Sequence, residues 1–256
     1  MSPRTRAAIR LYRIRTAAFA LLAIAAGLTL PAAGRSARAA EPQSSGPQRI
    51  GIIGTGHIGG TLAKLWAHAG YELMISSDHP AKLEALARSL GPRVHVGTPR
   101  DAARFSEVVL ISVPYGVLPE VGRSLAHDLA GKIVLDTGNP YPQRDGAMAL
   151  EARRLGTGVA SARYLPGVRL VRAFNAISWV ALGKDAHRAG ERFAIPLAGD
   201  DPEALAVAER LVRAAGFEPV VVGGLARAKE FDVGTPVYVK LLTARQLRAA
   251  LHLPAG

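Results

Sequence analysis

Between residues 49 and 140, short apolar runs alternate with segments whose apolar residues recur at helical spacing. Apolar or β-branched runs predict five strands, at 50–53, 71–77, 93–96, 107–113 and 132–136. Helices are predicted over 57–69 and 81–90, the second between Pro80 and Gly91. Continuous apolar strands separated by helices are typical of a parallel sheet that is covered on both faces. We therefore expect an α/β fold with a doubly wound parallel sheet.

After Asn139 the alternation is less regular, which predicts a smaller α/β extension over 151–256. A helix is predicted over 147–155, and strands at 168–174, 192–197 and 219–222. Pro196 favours an edge strand or a bulge for the second of these, because proline cannot donate to a ladder. Asp201-Pro202 predicts a capped helix start with an end at Gly216, and a last amphipathic helix is expected over 239–251.

The first forty residues have the pattern of a targeting segment. Seven arginines and no acid occur in 1–40, an apolar stretch covers 16–33, and Ala37-Arg38-Ala39 fits an A-x-A cleavage site. We expect export to the periplasm or the cell exterior after cleavage. An uncleaved membrane anchor and a mistaken start site are the alternatives. A polar linker follows at 41–48.

Composition narrows the classes of function. The chain has no cysteine, which excludes disulfides, thiolate catalysis and cysteine-based metal sites. Its net charge is +12, but without residues 1–40 it is +5, so nucleic-acid binding loses most of its support. No His-x-x-x-His motif or carboxylate cluster suggests a metal, and no G-x-S-x-G motif suggests hydrolysis.

Gly54-Thr55-Gly56-His57-Ile58-Gly59 is a G-x-G-x-x-G motif between a predicted strand and a predicted helix. In that context Gly54 allows the tight turn, Gly56 lets the backbone approach a diphosphate, and Gly59 allows close packing of helix and strand. The helix N-terminus offers N–H groups and a positive dipole end to phosphates. The motif predicts a Rossmann-type dinucleotide-binding domain over 49–150; a glycine turn without a ligand is the alternative. His57 is expected to pack uncharged rather than to act in catalysis.

The end of the second strand is expected to meet the adenosine ribose. It carries Ser76, Ser77 and Asp78, and Asp78 follows Gly59 by 19 residues. An acid there accepts the ribose 2′-hydroxyl and repels a 2′-phosphate, which favours NAD over NADP. The alternative is that Asp78 caps the helix that begins near Pro80.

Several segments together resemble the NADP oxidoreductases that use the deazaflavin coenzyme F-420. They are Gly54 to Gly60, Ser76-Ser77, Val113-Pro114-Tyr115, Asp136 to Pro140 and Arg172-Ala173-Phe174-Asn175. The same module is similar to the soluble reductase domain of the six-transmembrane metalloreductases. The resemblance extends from about Arg49 to Leu225.

The resemblance implies direct hydride transfer between a nicotinamide and a flavin-like or deazaflavin ring, with no catalytic acid, base or metal. It places Val113, Pro114 and Tyr115 near the nicotinamide ribose, Asn139 at the mouth of the fifth strand, and Phe174 and Asn175 near the ring pocket. Tyr115 could instead pack beneath its loop, Asn175 could be a turn residue, and Trp179 is expected in the core. Asp78 departs from the family, which usually has a basic residue there.

The sequence thus predicts an NAD(P)-dependent oxidoreductase with a small-molecule acceptor. A cofactor-binding module without turnover, and an imine or 3-hydroxyacid reductase with the same first domain, are the alternatives. The imine or 3-hydroxyacid reductase would need a helical second domain or a homodimer to complete its site.

Overall fold

The computed structural model describes residues 49–255. The predicted signal-like segment at 1–40 and the linker at 41–48 lie outside this range and stay predictions. Within the described range, the helices are all too short or too polar to cross a bilayer.

The strands and helices alternate along the chain as the pattern predicts. The strands are β1 (Arg49–Ile53), β2 (Glu72–Ser76), β3 (Val94–Gly97), β4 (Val108–Ile111), β5 (Ile133–Asp136), β6 (Arg169–Arg172), β7 (Ala194–Gly199) and β8 (Glu218–Gly223). The helices are α1 (His57–His68), α2 (Glu84–Leu90), α3 (Pro99–Phe105), α4 (Leu118–Ser124), α5 (Ala126–Leu129), α6 (Pro142–Leu155), α7 (Thr157–Tyr164), α8 (Trp179–Lys184), α9 (Pro202–Ala214) and α10 (Ala244–Ala250). Three 3-10 segments are Pro80–Leu83, Tyr115–Val117 and Leu225–Phe231.

All eight strands form one sheet in the order β3-β2-β1-β4-β5-β6-β7-β8. The first six pair in parallel, and their order is that of a Rossmann sheet. The strand β7 joins β6 antiparallel, and β8 joins β7 in parallel. The expected Rossmann-type fold with a C-terminal α/β extension is confirmed, and the extension continues the same sheet.

Successive strand residues face two separate apolar layers. Ile52 and Leu110 belong to one buried cluster, whereas Ile53 and Ile111 belong to the other. The first cluster is tied to the extension by Trp66 of α1, whose Nε1 donates to the carbonyl of Leu211 in α9 at 2.9 Å. Both faces of the sheet are therefore buried, which explains why its strands are continuous apolar runs.

Two predicted helices differ in extent from the structure. The helix predicted over 147–155 is the second part of α6, which begins at Pro142 and has a kink at Gly146 (φ +59°). The predicted boundary at residue 150 therefore lies inside a helix. The prediction of a helix over 239–251 is wrong for its first five residues: Val239 has a φ of +51°, and α10 begins after Thr243, whose side chain forms a capping box with Gln246.

Pro196 does not mark an edge strand, because β7 lies between β6 and β8. The ladder to β6 contains only Ala198 and Gly199, whereas Pro196 is opposite Val220 of β8. A proline is tolerated there because β7 has a single strand neighbour at that position. The predicted irregularity is present two residues later, between Leu197 and Ala198.

A buried ion pair joins the carboxyl ends of β5 and β6. Asp136 and Arg172 are the last residues of these strands, lie opposite each other in register, and have fully buried side chains. Arg172 also donates to the carbonyl of Gly138 at 2.6 Å, and Asp136 Oδ1 accepts from the N–H of Gly138 at 2.8 Å. Burial by itself lowers the pKa of Arg172, but the charges of Asp136 and Asp232 outweigh it, so this pKa is raised and the guanidinium stays charged.

We expect single substitutions in this pair to destabilise the fold strongly. Asp136→Asn or Arg172→Met leaves one buried charge without its partner, which lowers the free energy of unfolding by about 3–5 kcal/mol. The double variant Asp136→Leu/Arg172→Met loses less than the sum of the two. Urea unfolding measures all three variants.

The control is Arg123→Ala, which removes an exposed pair with Glu120 and changes the free energy of unfolding by less than about 0.5 kcal/mol. A loss below about 1 kcal/mol in both single variants would contradict a structural role for the buried pair.

Candidate dinucleotide-binding cleft

The three glycines of the turn after β1 are required for three different reasons. Gly54 has a φ of +92°, and a Cβ there would lie 2.4 Å from the carbonyl oxygen of Ser112. A Cβ at Gly59 would lie 2.1 Å from the carbonyl oxygen of Gly54, so this glycine permits the close packing of α1 on the turn. A Cβ at Gly56 would meet no atom within 4 Å. Only Gly56 therefore borders open space.

This open space lies at the N-terminus of α1, a helix of twelve residues. Gly56 is its N-cap, no side chain caps the helix, and its first turn contains no acid. The N–H groups and the positive end of the helix dipole are thus available to an anion. An open approach at Gly56 beside an uncapped helix fits the diphosphate of a dinucleotide.

A cleft of about 550 Å³ extends from Gly56 along the carboxyl ends of β4, β5 and β6. The predicted site residues that line it are Gly56, His57, Ile58, Val113, Pro114, Asn139, Phe174 and Asn175. Its other lining residues are Ser112, Thr137, Gly138, Tyr141, Arg144, Ile177, Ser178, Trp179, Tyr238 and Val239. The cleft has the location in which open α/β sheets bind ligands.

The remaining predicted residues do not line this cleft: Gly54, Thr55, Gly59, Ser76, Ser77, Asp78 and Tyr115. Thr55 Oγ1 donates to the carbonyl of Ser76 at 3.0 Å, and Ser76 Oγ donates to the carbonyl of Ile52 at 2.8 Å. The Ser76 side chain is fully buried. These two hydroxyls hold the glycine turn against the end of β2.

Ser77 and Asp78 lie beyond the end of β2. Ser77 Oγ accepts from the N–H of His79 at 2.9 Å. Asp78 is exposed, and the 3-10 segment that follows is capped at His79 without a side-chain hydrogen bond. Asp78 therefore does not cap that segment, and its carboxylate is open to a ligand at the end of β2.

Tyr115 packs beneath its loop. Its side chain is fully buried, and its hydroxyl lies 3.1 Å from Ser161 Oγ. Burial, and then the charge of Asp136, raises the pKa of Tyr115 far above its usual value, so the phenol is neutral. It supports the segment Val113-Pro114 from behind.

A chain of hydrogen bonds crosses the cleft beside the buried ion pair. Asn139 Nδ2 donates to the carbonyl of Asn175 at 2.8 Å and to the hydroxyl of Tyr238 at 3.3 Å. The hydroxyls of Tyr238 and Tyr141 are 2.6 Å apart. The Oδ1 atoms of Asn139 and Asn175 are buried without a hydrogen-bond partner among the described residues. Both are acceptors that N–H groups of a ligand can satisfy.

Phe174 has a strained backbone at the start of this wall. Its φ is +58°, although phenylalanine rarely adopts the left-handed region. Its buried ring meets Trp66 edge to face, with ring centroids 6.1 Å apart. Packing against Trp66 holds the turn that presents Asn175, and strain of this kind is concentrated at functional sites.

His57 and Trp179 form one rim of the cleft. Their rings stack with centroids 4.4 Å apart at 18°. Both residues are exposed, and 49% of the surface of Trp179 is accessible to solvent. The expectations that His57 packs inside the loop and that Trp179 belongs to the core are therefore wrong. Trp179 begins α8 after Ser178, which caps the helix, and this start turns the indole outward.

Comparisons with known proteins show which families and structures this chain is similar to. Residues 49–140 match the family model described as NADP oxidoreductase coenzyme F420-dependent. The chain is 32% identical over 191 residues to the metalloreductase STEAP3 of Rattus norvegicus, a match that covers 72% of this chain and 36% of that protein. It is 29% identical over 216 residues to the F420-dependent NADP reductase of Methanothermobacter thermautotrophicus, which covers 79% of this chain and 92% of that enzyme.

A solved structure of a hypothetical protein from Sinorhizobium meliloti is also similar, with a TM-score of 0.64 and 26% identity over 77% of this chain and 95% of that one. The resemblance stated from the sequence is confirmed, as is the dinucleotide-binding Rossmann fold. The two named relatives are reductases, the class of enzyme that the resemblance implies. This chain spans 36% of the length of the rat metalloreductase, so the activity of that whole protein is not transferred.

The geometry at Gly56 predicts a variant that separates binding from folding. Gly56→Val adds its side chain in open space, and its φ of −79° suits valine, so we expect the free energy of unfolding to change by less than about 1 kcal/mol. The added methyl groups occupy the approach to the helix N-terminus, so NADPH and NADH binding is expected to disappear in fluorescence titrations.

Two further glycine variants serve as references. Gly59→Ala clashes with the Gly54 carbonyl and is expected to destabilise the fold by about 1–3 kcal/mol. Gly183→Ala gains an ordinary contact with Thr61 and leaves both properties unchanged. Unaltered NADPH affinity in Gly56→Val would exclude this turn as the diphosphate site.

Proposed function

Because its residues 49–140 match the coenzyme F420-dependent NADP oxidoreductases, we propose that this chain is an NAD(P)-dependent oxidoreductase that transfers hydride directly between a nicotinamide and a flavin-like or deazaflavin acceptor. The observation that carries the proposal is the open approach at Gly56, which leads from an uncapped helix N-terminus into the cleft. Without that opening, the glycine motif would be an ordinary turn.

The residues present fit a dinucleotide along the whole carboxyl edge of the sheet. The N–H groups at the start of α1 would bind the diphosphate, and Asp78 lies free at the end of β2 for the adenosine ribose. The unpartnered Oδ1 atoms of Asn139 and Asn175 suit the amide N–H groups of a nicotinamide. When bound, the cofactor supplies the hydride. The protein positions the two rings and excludes water.

The walls of the cleft favour a flat acceptor. Ile177, Trp179 and Val239 are apolar, and Val113 and Pro114 add further apolar lining. The lining residues include no Asp or Glu, and the one arginine, Arg144, makes a bidentate pair with Asp145. A largely uncharged cleft beside a nicotinamide site suits a planar ring system better than a strongly charged acceptor.

The test is a fluorescence titration of the purified full chain with NADPH and NADH, followed by turnover assays with FMN and with a deazaflavin. Binding of a reduced nicotinamide and oxidation of it by either ring supports the proposal. Binding without turnover by any electron acceptor would favour a cofactor-binding module instead. Failure to bind both nucleotides would refute the function proposed here.

Asp78 gives a prediction about the choice of cofactor. Its exposed carboxylate would face a 2′-phosphate, and two like charges about 5 Å apart at an effective dielectric constant near 20 repel by roughly 3 kcal/mol before salt screening. Exposure reduces this strongly, so we expect Asp78→Arg to shift the ratio of NADPH to NADH affinity by about ten-fold toward NADPH. Asp78→Asn is expected to shift it by a smaller factor.

The matched control is Glu120→Arg, which makes the same change in net charge on the exposed face of α4. This control is expected to leave the ratio unchanged. An unaltered ratio in Asp78→Arg at intact NADPH affinity would show that Asp78 does not contact the ribose.

A further inference from the structure

Two phenol groups meet in the cleft, and neither belongs to a motif that the sequence pattern predicts to be functional. Tyr141 follows β5, and Tyr238 comes from the segment before α10, 97 residues later. Their hydroxyl oxygens are 2.6 Å apart, and both side chains are half-buried. Both residues line the cleft together with Asn139 and Phe174. The pair therefore lies in the part of the cleft that is assigned above to the nicotinamide.

The hydrogen bonds around Tyr238 suit a group that gives up a proton. Asn139 Nδ2 faces the carbonyl oxygen of Asn175, which can only accept, so the orientation of this amide is fixed. The same Nδ2 donates to the Tyr238 oxygen, and either hydroxyl of the tyrosine pair can donate to the other while Tyr238 is protonated. Once Tyr238 has lost its proton, the Tyr141 hydroxyl can only donate to it. Two incoming donors stabilise the phenolate that remains once Tyr238 has lost its proton.

Three further O–H groups that line the cleft are aliphatic and are weaker acids than an ordinary phenol. Ser112, Thr137 and Ser178 carry aliphatic hydroxyls. Ser178 in addition caps α8, where its Oγ accepts from the N–H of Ala181 at 3.2 Å. The imidazole of His57 also borders the cleft, but its ring stacks on Trp179 at the rim and lies on the turn assigned to the diphosphate. Of the two phenols, Tyr238 is the one that accepts from Asn139 Nδ2, which makes it the better-placed acid of this wall.

We propose that the cleft has a second activity, the reduction of a carbonyl or imine group, in which Tyr238 donates the proton and Tyr141 replaces it from solvent. The proposal rests on the function proposed above, because the hydride comes from the reduced nicotinamide. The substrate carbon accepts this hydride, the π pair of the C=O or C=N bond moves to the heteroatom, and the heteroatom takes the proton of Tyr238. One NAD(P)H, one proton and one carbonyl compound thus give NAD(P)⁺ and one alcohol.

The protonation state of the pair agrees with this direction of transfer. Burial, and then the hydrogen bond with Tyr141, raises the pKa of Tyr238 well above its usual value, so the phenol keeps its proton at neutral pH. A developing alkoxide or amine anion is a stronger base than a phenolate and still removes that proton. Tyr238 is therefore protonated before hydride transfer and donates its proton only as negative charge develops on the substrate.

The walls restrict the class of substrate. Apolar side chains of Ile177, Trp179 and Val239 border the cleft, and no carboxylate lines it to bind a cation. These features favour an uncharged aromatic or alicyclic aldehyde, ketone or cyclic imine. A flat, apolar molecule can stack on the exposed indole of Trp179.

The test compares two reactions of the full chain, with NADPH as donor. Benzaldehyde and 2-methyl-1-pyrroline probe carbonyl and imine reduction, and FMN probes transfer to a ring that needs no protein acid. In Tyr238→Phe we expect kcat for benzaldehyde and the pyrroline to fall by about 10²–10⁴-fold, the range for a lost general acid. The loss of kcat for FMN is expected to be at least about ten-fold smaller than the loss for benzaldehyde, because FMN needs no proton from the protein. Tyr141→Phe is expected to lower carbonyl and imine turnover by a smaller factor, because Tyr238 still donates its proton but regains one from solvent more slowly.

A binding measurement gives a readout independent of turnover. Benzamide, an unreactive carbonyl compound, is titrated into the complex with NADP⁺ while tryptophan fluorescence is recorded. Tyr238→Phe removes one hydrogen bond to the benzamide carbonyl, so its dissociation constant is expected to rise about 5-fold, which corresponds to about 1 kcal/mol. Tyr164→Phe, the same change on α7 outside the cleft, is expected to alter neither binding nor turnover.

Three outcomes would overturn the proposal while the NADPH site stays intact. They are the absence of aldehyde and imine reduction in the wild-type chain, full activity in Tyr238→Phe, and equal losses with FMN and benzaldehyde. A selective loss in His57→Gln rather than in Tyr238→Phe would likewise overturn it and assign the proton to His57. Absence of NADPH binding in the wild type would instead refute the proposed function itself.

Discussion

The carboxyl edge of the sheet depends on the buried charge pair between Asp136 and Arg172. Two strands end at these residues, and the same guanidinium and carboxylate bind the carbonyl and the N–H of Gly138. The loop that leads to Asn139 is thereby fixed at both the N–H and the carbonyl of one residue. Since desolvated charges are costly unless they are fully paired, the pair imposes one arrangement of this edge and makes alternatives expensive. A preorganised cleft needs a rigid edge of this kind.

Neutral hydrogen-bonding groups connect this ion pair to the rest of the cleft wall. Asn139 connects the fixed loop to the strained turn at Phe174 and Asn175, and to Tyr238 from the C-terminal extension. The polar wall of the cleft is therefore assembled from three segments that are distant along the chain. The glycine-turn side of the cleft depends on fewer interactions. Close backbone contacts determine the turn at Gly54 and Gly59, and the helix α1 that follows provides the anion site.

The local sequence predicts the side of the cleft that carries the glycine turn, but it does not predict the wall that contains the tyrosine pair. The turn, the strands and the capped start of α9 follow from spacing and from single residues, because their causes lie within a few positions of one another. The orientation of Trp179 and the contact between Tyr141 and Tyr238 do not follow in this way. They result from packing across 97 or more residues, and an exposed tryptophan at a helix start has the same sequence pattern as a buried one. Pro196 predicted an edge strand or a bulge, and only the structure shows that β7 is an inner strand with a bulge, because the length of its neighbour's ladder is a tertiary property.

The two-residue ladder between β6 and β7 has a consequence for how such a protein diverges. It divides the sheet into a six-strand block that carries the glycine turn and a two-strand block whose strand pairing to the first involves only Ala198 and Gly199. Substitutions and insertions on the far side of that seam alter the wall around Tyr238 and Val239 while the cofactor half keeps its backbone contacts. Mutations in the two-strand block can therefore change which substrate is reduced, while the six-strand block keeps its binding of the nicotinamide donor. Paralogues of this fold are expected to differ most after residue 172.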